Sequence, residues 1–524
     1  MDEASKALLS AKIKTPEEIR AIVGAPPRSS KVIMCHGTFD IVHPGHIRHL
    51  MFAKSKGDIL IASLTADQHI TKSKLRPYVP QDLRAFNLAA LQVVDYVVID
   101  PDPTPLRNLS VIQPDLYAKG YEYISKGLHP KTREEKDLID SYGGEIIFSP
   151  GDFVYSSSHL IETAPPNLRC EKLMFLMNGE EIGFDDLRGI LARFEGTRVH
   201  VVGDTIVDSY THTTMIGGMS KTPTVSVRFD KRHSFVGGAG IVAKHLRAAG
   251  AKVTFSTVLG DDRDKDFVLE DLAKAEVEVL PIIDPTRPTT NKDYIICDGY
   301  RLLKVDTLDN RSISDAIVEK LQEHLRSVDA DVVVFSDFRH GVFNRETVPR
   351  LVSAIPERAF RVADSQVASR WGNILEFQGF DLITPNEREA RFALGDQDSV
   401  VRALAGDLFR QARCKTLIMK LGERGILTFR TRPEGDPRTV IALDSFVNHV
   451  VDAVGAGDAL LSYATLALFA TRSEDGQSNE AVASILGSIS AALECEMDGN
   501  YPITIEAMRK RIDQIEAEAH YRAE

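Results

Sequence analysis

"MCHGTFDIVHPGH", Met34–His46, follows directly on the apolar Val32 and Ile33 and packs three histidines, two glycines and an aspartate into a short run. The apolar run breaks at Gly37 and gives way to "GHIRHLMFAKSKG", so the stretch reads as strand, loop and helix. A helix N-terminus offers unpaired N–H groups and the positive end of a dipole, which together attract phosphate. His43 and His46, three apart at that turn, can both donate to phosphate oxygens, and Gly45 lets the backbone approach closely. A metal site or plain surface histidines are the other readings of an HxxH taken alone.

Working outward, "KVIMCH", "DILIASL", "YVVID" and "GEIIFSP" read as strands alternating with helices such as "QDLRAFNLAALQVV". That alternation predicts a parallel sheet with crossover helices over 31–165. Thr15-Pro16-Glu17-Glu18 reads as a helix start, making 1–30 a helical arm. A less periodic stretch around Ala164-Pro165-Pro166-Asn167 predicts a linker over 166–188. From 189 to 518 the alternation resumes on a larger scale ("RVHVVGD", "KVTFSTVLG", "DVVVFSD", "FRVADS", "DLITP", "TLIMKLG"). Within it, Thr- and Val-rich residues ~211–236 predict a small β lid on an α/β body.

The whole is 524 residues, enough for two to four domains at roughly 100–200 residues each. It is 43% apolar and 26% charged, with no segment reaching the ~20 apolar residues of a membrane span. Five scattered cysteines without a CxxC argue against a disulfide framework or zinc knuckle, and no secretory signal is evident. A reduced, cytoplasmic protein is expected. The net charge of −12 opposes general nucleic-acid binding but leaves anionic small substrates open.

"DAVGAGDALLSYATLALFA", from Asp452, is the second informative stretch. Gly455-Ala456-Gly457 leads straight into an apolar helix, whose first N–H groups form an anion hole for a transferring phosphoryl group. Asp458, in the first turn, can accept the proton of an attacking hydroxyl. A dipole at that helix end should keep it ionised at neutral pH. No GxxxxGK[ST] occurs, and Gly238-x-Gly240-x-x-Ala243 is a weak, isolated match to a dinucleotide fingerprint.

Two family resemblances rest on these and later motifs. "HGTFDIVHPGH", "RPYVPQDLRAFNLAALQVVDYVV", "QPDLYAKGYEY" and "YSSSHLIE" resemble, in order, the motifs of the cytidylyltransferase-like nucleotidyltransferases. The resemblance implies a Rossmann-like α/β fold. It implies phosphate contacts from His43 and His46, and cations from Lys72 and Arg84, with Lys74 and Arg76 in reserve. Hydroxyls would come from Ser156, Ser157 and Ser158. Thr38, Phe39, Asp40 and Lys119 would shape the nucleotide or sugar-phosphate pocket, with His36 and His49 structural.

Residues ~190–515 resemble the PfkB (ribokinase-like) carbohydrate kinases, implying an α/β body with a β lid. Asp204, Asp208, Gly237, Gly238 and Asp337 would then lie at the sugar. Lys420, Gly422 and Gly425 would meet ATP, and Gly455, Ala456 and Gly457 its phosphates. Asn386 and Glu389 ("TPNEREA") would help place Mg²⁺. A homodimer through the lid is implied as well. The pairing of the two halves resembles the bifunctional ADP-heptose synthases, in the reverse domain order. That implies phosphorylation of a heptose 7-phosphate at C1, then AMP transfer from ATP to heptose 1-phosphate. Ile241 and Gln366 stand where related heptose kinases carry Asn and Lys. Another sugar therefore stays open; CTP in place of ATP stays open because the phosphate motifs do not read the base, and a non-catalytic binding role is the further alternative.

Overall fold

The computed structural model describes residues 7, 9–70, 77–120, 130–149, 169–218, 225–366, 373–431, 439–473, 476 and 478–523. Lys72, Lys74, Arg76, Ser156, Ser157 and Ser158 lie outside the described residues.

Thr15 caps the first helix, α1 (Pro16–Val23), in a reciprocal box with Glu18. This arm is docked: Ile13 bridges Val97 of the first sheet, and Ile19 is fully buried. There follow β1 (Val32–Gly37), α2 (Pro44–Lys54), β2 (Ile59–Thr65), α3 (Gln81–Ala89) and β3 (Tyr96–Asp100). Then come α4 (Leu106–Ile112), β4 (Leu116–Gly120), α5 (Pro130–Ser141) and β5 (Glu145–Ser149). The strands form one parallel sheet in the order β3-β2-β1-β4-β5. Val32, Ile33, Met34 and Cys35 of the central strand are fully buried, which is why that run is continuously apolar. The strand order reverses between β1 and its neighbour β4, so a crevice opens at their carboxyl ends. The Gly37–His46 loop leaves β1 at that end.

From Arg169 on, the stretch expected to be a linker is folded. Residues 169–192 form α6 (Arg169–Gly179) and α7 (Phe184–Ala192). Leu173, Met177, Phe184, Leu187 and Leu191 are buried in the core of the second half. Their spacing is that of an amphipathic helix, which the nearby prolines obscure.

The second half continues with β6 (Arg198–Gly203), β7 (Thr205–Gly218), β8 (Val225–Gly238), α8 (Ala239–Ala248), β9 (Lys252–Leu259) and α9 (Arg263–Lys274). Next are β10 (Glu278–Ile283), β11 (Asn291–Cys297), β12 (Tyr300–Thr307), α10 (Asp315–Ser327), β13 (Val332–Asp337) and α11 (Thr347–Val352). β14 (Phe360–Ser365), β15 (Leu382–Ile383), α12 (Glu387–Leu394), α13 (Val401–Ala412) and β16 (Thr416–Lys420) follow. The chain ends with β17 (Ile426–Arg430), β18 (Val440–Leu443), α14 (Ala456–Ala470), α15 (Glu480–Cys495) and α16 (Ile505–Ala523).

The main sheet runs β10-β9-β6-β13-β14-β15-β16-β17-β18, parallel as far as β16 and antiparallel beyond. α14 and α15 are apolar nearly all round because they pack against each other inside the core. A separate sheet, β12-β11-β7-β8, makes the lid. It is larger than the lid expected over ~211–236, because β11 and β12 join β7 from later in the chain. Among the described residues, no helix is long and apolar enough to cross a membrane.

Candidate active sites

At the first site, His43 is the N-cap of α2, and its Nδ1 accepts from Gly45 N at 3.1 Å. That bond leaves the ring proton on Nε2, where it can be given to a phosphate oxygen. The His46 ring stacks on His43, with centroids 3.9 Å apart, and Phe39 closes on His46 at 5.1 Å. Phe39 holds a left-handed φ of 48°, a strained conformation for a bulky residue. His36 and His49 bond Ser63 and Ser149 respectively, as packing residues do. Among the described residues, no group of three or more His, Cys, Asp or Glu is arranged to hold a metal ion.

Three residues expected at phosphate or nucleotide are engaged in building the site. Arg84 is fully buried. It donates to Val79 O at 2.9 Å, Thr65 O at 2.9 Å, Asp67 Oδ1 at 2.6 Å and the Thr38 carbonyl. Its guanidinium holds the Thr38 turn in place through bonds made within the protein. Asp40 accepts from Tyr78 N and Val79 N at 3.0 and 2.8 Å, tying the segment before α3 to the same turn. Lys119, at the end of β4, is buried against Glu135 and 3.3 Å from Thr132 Oγ1.

The second site is a cavity of about 820 Å³ between the main sheet and the lid. Asp458 faces it from the first turn of α14, beneath the Gly455-Ala456-Gly457 turn. Gly455 has φ 86°, and a Cβ there would strike Asn500 Oδ1 at 2.5 Å, so the turn requires glycine. Lys420 Nζ donates to Asp364 Oδ1 at 2.9 Å and lies close under Gly457. Burial, reinforced by Asp364, pushes the Asp458 carboxyl up to about 8, with Lys420 opposing. The expectation of an ionised carboxylate at neutral pH is thereby corrected: desolvation outweighs the helix dipole. Asn386 and Glu389 form a capping box at α12, with Asn386 Nδ2 2.6 Å from Glu389 Oε1. Burial raises the Glu389 pKa; Lys420 opposes the rise and Asp364 adds to it.

Of the expected sugar residues, Asp208 and Gly238 line the cavity. Asp204 does not. Its carboxylate accepts from Phe338 N, His340 N and Val342 N at 3.0, 3.2 and 3.3 Å, so it shapes the 338–342 turn. Asp337 is likewise taken up, by Arg339 Nε and Ser365 Oγ, both at 2.8 Å. Gly237 clears room for Asp208, whose Oδ2 would lie 2.1 Å from a Cβ there. Ile241 is buried in α8, whereas Gln366, Gly422 and Gly425 line the cavity.

Three participants were not read from the sequence. Lys292 and Tyr294 of β11 reach the cavity from the lid. Glu494, on α15, lies 2.9 Å from where a Gly455 Cβ would stand. Both its carboxylate oxygens are buried without a hydrogen-bond partner, and burial beside Asp458 and Asp452 pushes it up to about 8.

Comparison with known proteins agrees with this division. The profile of the pfkB family carbohydrate kinases matches residues 197–495, and the Cytidylyltransferase-like profile matches residues 34–163. The Bifunctional protein HldE of Bradyrhizobium sp. (strain ORS 278) is 27% identical over 337 residues, 63% of this chain and 65% of that protein. The protein of the same name from Nitrobacter winogradskyi is 29% identical over 339 residues, 62% of this chain and 66% of that one. The chain thus spans just under two thirds of these relatives' length. Over 139 residues it is 37% identical to the Bifunctional protein HldE of Geobacter metallireducens, 26% of this chain and 27% of that one. Phosphofructokinase-2 from Escherichia coli shares the fold, with a TM-score of 0.50 at 17% identity, covering 61% of this chain and 99% of that one.

Proposed function

As the chain belongs to the pfkB family of carbohydrate kinases and carries a cytidylyltransferase-like domain ahead of the kinase, we propose that it is a bifunctional sugar kinase and sugar-1-phosphate nucleotidyltransferase. The kinase takes a heptose 7-phosphate and phosphorylates its anomeric hydroxyl from ATP. The transferase couples heptose 1-phosphate to AMP from ATP and releases pyrophosphate. Matches to proteins named Bifunctional protein HldE support the heptose reading. The observation that carries the kinase half is Asp458 beneath a glycine turn, with the Lys420–Asp364 pair beside it.

In the kinase, Asp458 accepts the hydroxyl proton as the sugar oxygen attacks the γ-phosphorus and ADP leaves. The Gly455-Ala456-Gly457 N–H groups and Lys420 face the charge that develops on the phosphoryl oxygens. Asp364 and Glu389 crowd negative charge around one lysine, a donor set that fits Mg²⁺. Bound there, the ion would neutralise phosphate charge. In the transferase, His43 and His46 donate to the α- and leaving phosphates, while the Arg84–Asp67 framework fixes the loop that carries them. A homodimer through the lid would cover Ile216, Phe229 and Leu303, which are exposed on it. All five cysteines are free, which supports a reduced, cytoplasmic setting.

A second reading, another sugar, is favoured by Gln366, which lines the cavity where the heptose kinases carry Lys. Purified protein is incubated with candidate sugar phosphates and each NTP, and ADP and pyrophosphate are followed separately. ADP release with heptose 7-phosphate, abolished by Asp458→Asn, and pyrophosphate release from ATP with heptose 1-phosphate, abolished by His46→Ala, are expected. Turnover of a different sugar alone would select the second reading, and turnover of CTP alone would replace ATP in the transferase. No turnover with any pair would leave a binding protein.

A further inference from the structure

Lys172 stands on α6, in the kinase half, with only 6% of its side chain exposed. Its ammonium is shared between the two halves of the chain. On the kinase side Nζ donates to both carboxylate oxygens of Asp444, at 3.0 and 2.9 Å. On the transferase side it lies 3.9 Å from the centroid of the Tyr78 ring. A lysine covered this far keeps its charge only where partners replace water. Here one partner is a carboxylate and the other is the negative face of a phenol ring, and a desolvated cation gains most from such a face.

Both ends of this contact are held. Leu173 and Met177 fix α6 in the kinase core, and Asp444 directly follows β18 of the main sheet. Tyr78 precedes α3, and its backbone is bonded to the loop that carries His43: Tyr78 N and Val79 N donate to Asp40 at 3.0 and 2.8 Å. Arg84 then joins Val79 O to the Thr38 carbonyl.

Two further contacts press on the same face. One turn along α6, Phe175 meets Phe86 of α3 edge-on at 5.0 Å, and Thr439 Oγ1 donates to Gln68 Oε1 at 2.7 Å. The Lys172 contact gives the most direct path to the catalytic turn. The ring it holds belongs to the residue whose own N–H meets Asp40, and Asp40 stands three residues before His43.

We propose that Lys172 is a positioning residue of nucleotidyl transfer: from the kinase half it holds Tyr78, and through Tyr78 the Asp40 end of the loop that presents His43 and His46. The inference rests on the transferase reading above. Histidines aimed at charge that develops on phosphate lose rate more than binding when their loop shifts.

The test uses the full chain, with pyrophosphate release over a range of NTP concentrations and ADP release from the kinase in the same preparation. Lys172→Met keeps the stem and removes the cation. It should lower kcat for pyrophosphate release by about tenfold, with KM for the NTP and kinase turnover near their wild-type values. Lys172→Arg, which keeps a cation for ring and carboxylate, should retain most of the wild-type kcat. Tyr78→Leu should lose as much as Lys172→Met, and Tyr78→Phe should not. The Lys172→Met/Tyr78→Leu double variant should lose no more than either single change. Should Lys172→Met fold poorly, the two Tyr78 variants carry the test through the same comparison of transferase with kinase. An unchanged kcat in folded Lys172→Met or in folded Tyr78→Leu would overturn the proposal. So would losses that multiply in the double variant, which would give Tyr78 a role of its own, and equal loss of both activities, which would mark general packing. A wild-type protein releasing no pyrophosphate from any NTP would overturn the transferase reading and this inference together.

Discussion

Lys420 Nζ donates to Asp364 Oδ1 at 2.9 Å while lying close under Gly457, so one ammonium serves a carboxylate and the anion hole at once. Asp364, Glu389 and Asp458 all lie within its electrostatic reach. Lys420→Met leaves these carboxylates facing the phosphates without that cation. Sugar phosphorylation should fall by about 10²-fold or more, measured as ADP release. Nucleotidyl transfer should be unaffected. Wild-type kinase turnover in a folded Lys420→Met protein would remove Lys420 from the phosphoryl path.

The Asp458 base should impose a rising acid-side limb on the pH profile of the kinase. Its carboxyl is pushed up to about 8 by burial and Asp364, and a base acts only when ionised. kcat/KM for phosphorylation should therefore climb with pH and level off above about 8. Lys420 lowers that value, so Lys420→Arg should keep the limb in place and Lys420→Met should move any residual activity to higher pH. A flat profile between pH 6 and about 9 would contradict the assignment.

Asp458→Asn should trade activity for stability. Loss of the base costs about 10²–10⁴-fold in kcat. The folded carboxyl titrates above its ordinary value of 3.8, so stability falls as pH rises from there towards about 8. A neutral Asn escapes that cost. Calorimetry at pH 8 should show the kinase unfolding about 2–4 °C higher in the variant. A lower Tm would mean that the ionised carboxylate is stabilised by something other than the groups described.

Arg84 should behave as a keystone and not as a ligand. Replacing it with Met strands Asp67 and the Thr38 and Thr65 carbonyls, and should destabilise the transferase half by about 3–5 kcal/mol. The check is denaturant unfolding followed alongside kinase activity, which should survive. A fully stable Arg84→Met protein with only a raised KM for NTP would restore the direct phosphate role.

The lid should control assembly. Phe229 is 63% exposed and Leu303 is 54% exposed, on a small sheet with open edges. Phe229→Asp with Leu303→Asp should convert a dimer to a monomer in sedimentation velocity. Unchanged sedimentation of wild type and variant as a dimer would place the interface elsewhere.

The sites were legible where chemistry is contiguous. HPGH, GAGD and NxxE each place their groups by local geometry: a cap, a glycine turn, a capping box. What escaped was partner choice over long separations. Arg84 finds the Thr38 carbonyl, and Asp204 finds N–H groups of a turn near residue 340. A charged residue beside a motif therefore looks like a ligand until its bonds are seen. Lys292 and Tyr294 were hidden because β11 pairs with β7 from across the fold, and Glu494 because it arrives on a separate helix. α6 was missed because its apolar face is filled by a core far along the chain.

The packing of α6 and α7 bears on how such a chain can be cut and rejoined. A break before Arg169 leaves each main sheet with its own covering helices. A break after Arg188 would strip Leu173, Met177, Phe184 and Leu187 from the larger core, at about 2–5 kcal/mol for each large side chain lost. The piece that recombination could shuffle intact therefore opens with these two helices. Its leading edge carries Lys172 and Phe175, the residues on which Tyr78 and Phe86 rest. A kinase inherited with that edge arrives with a docking face already attached, and swapping the order of the halves would have to rebuild it.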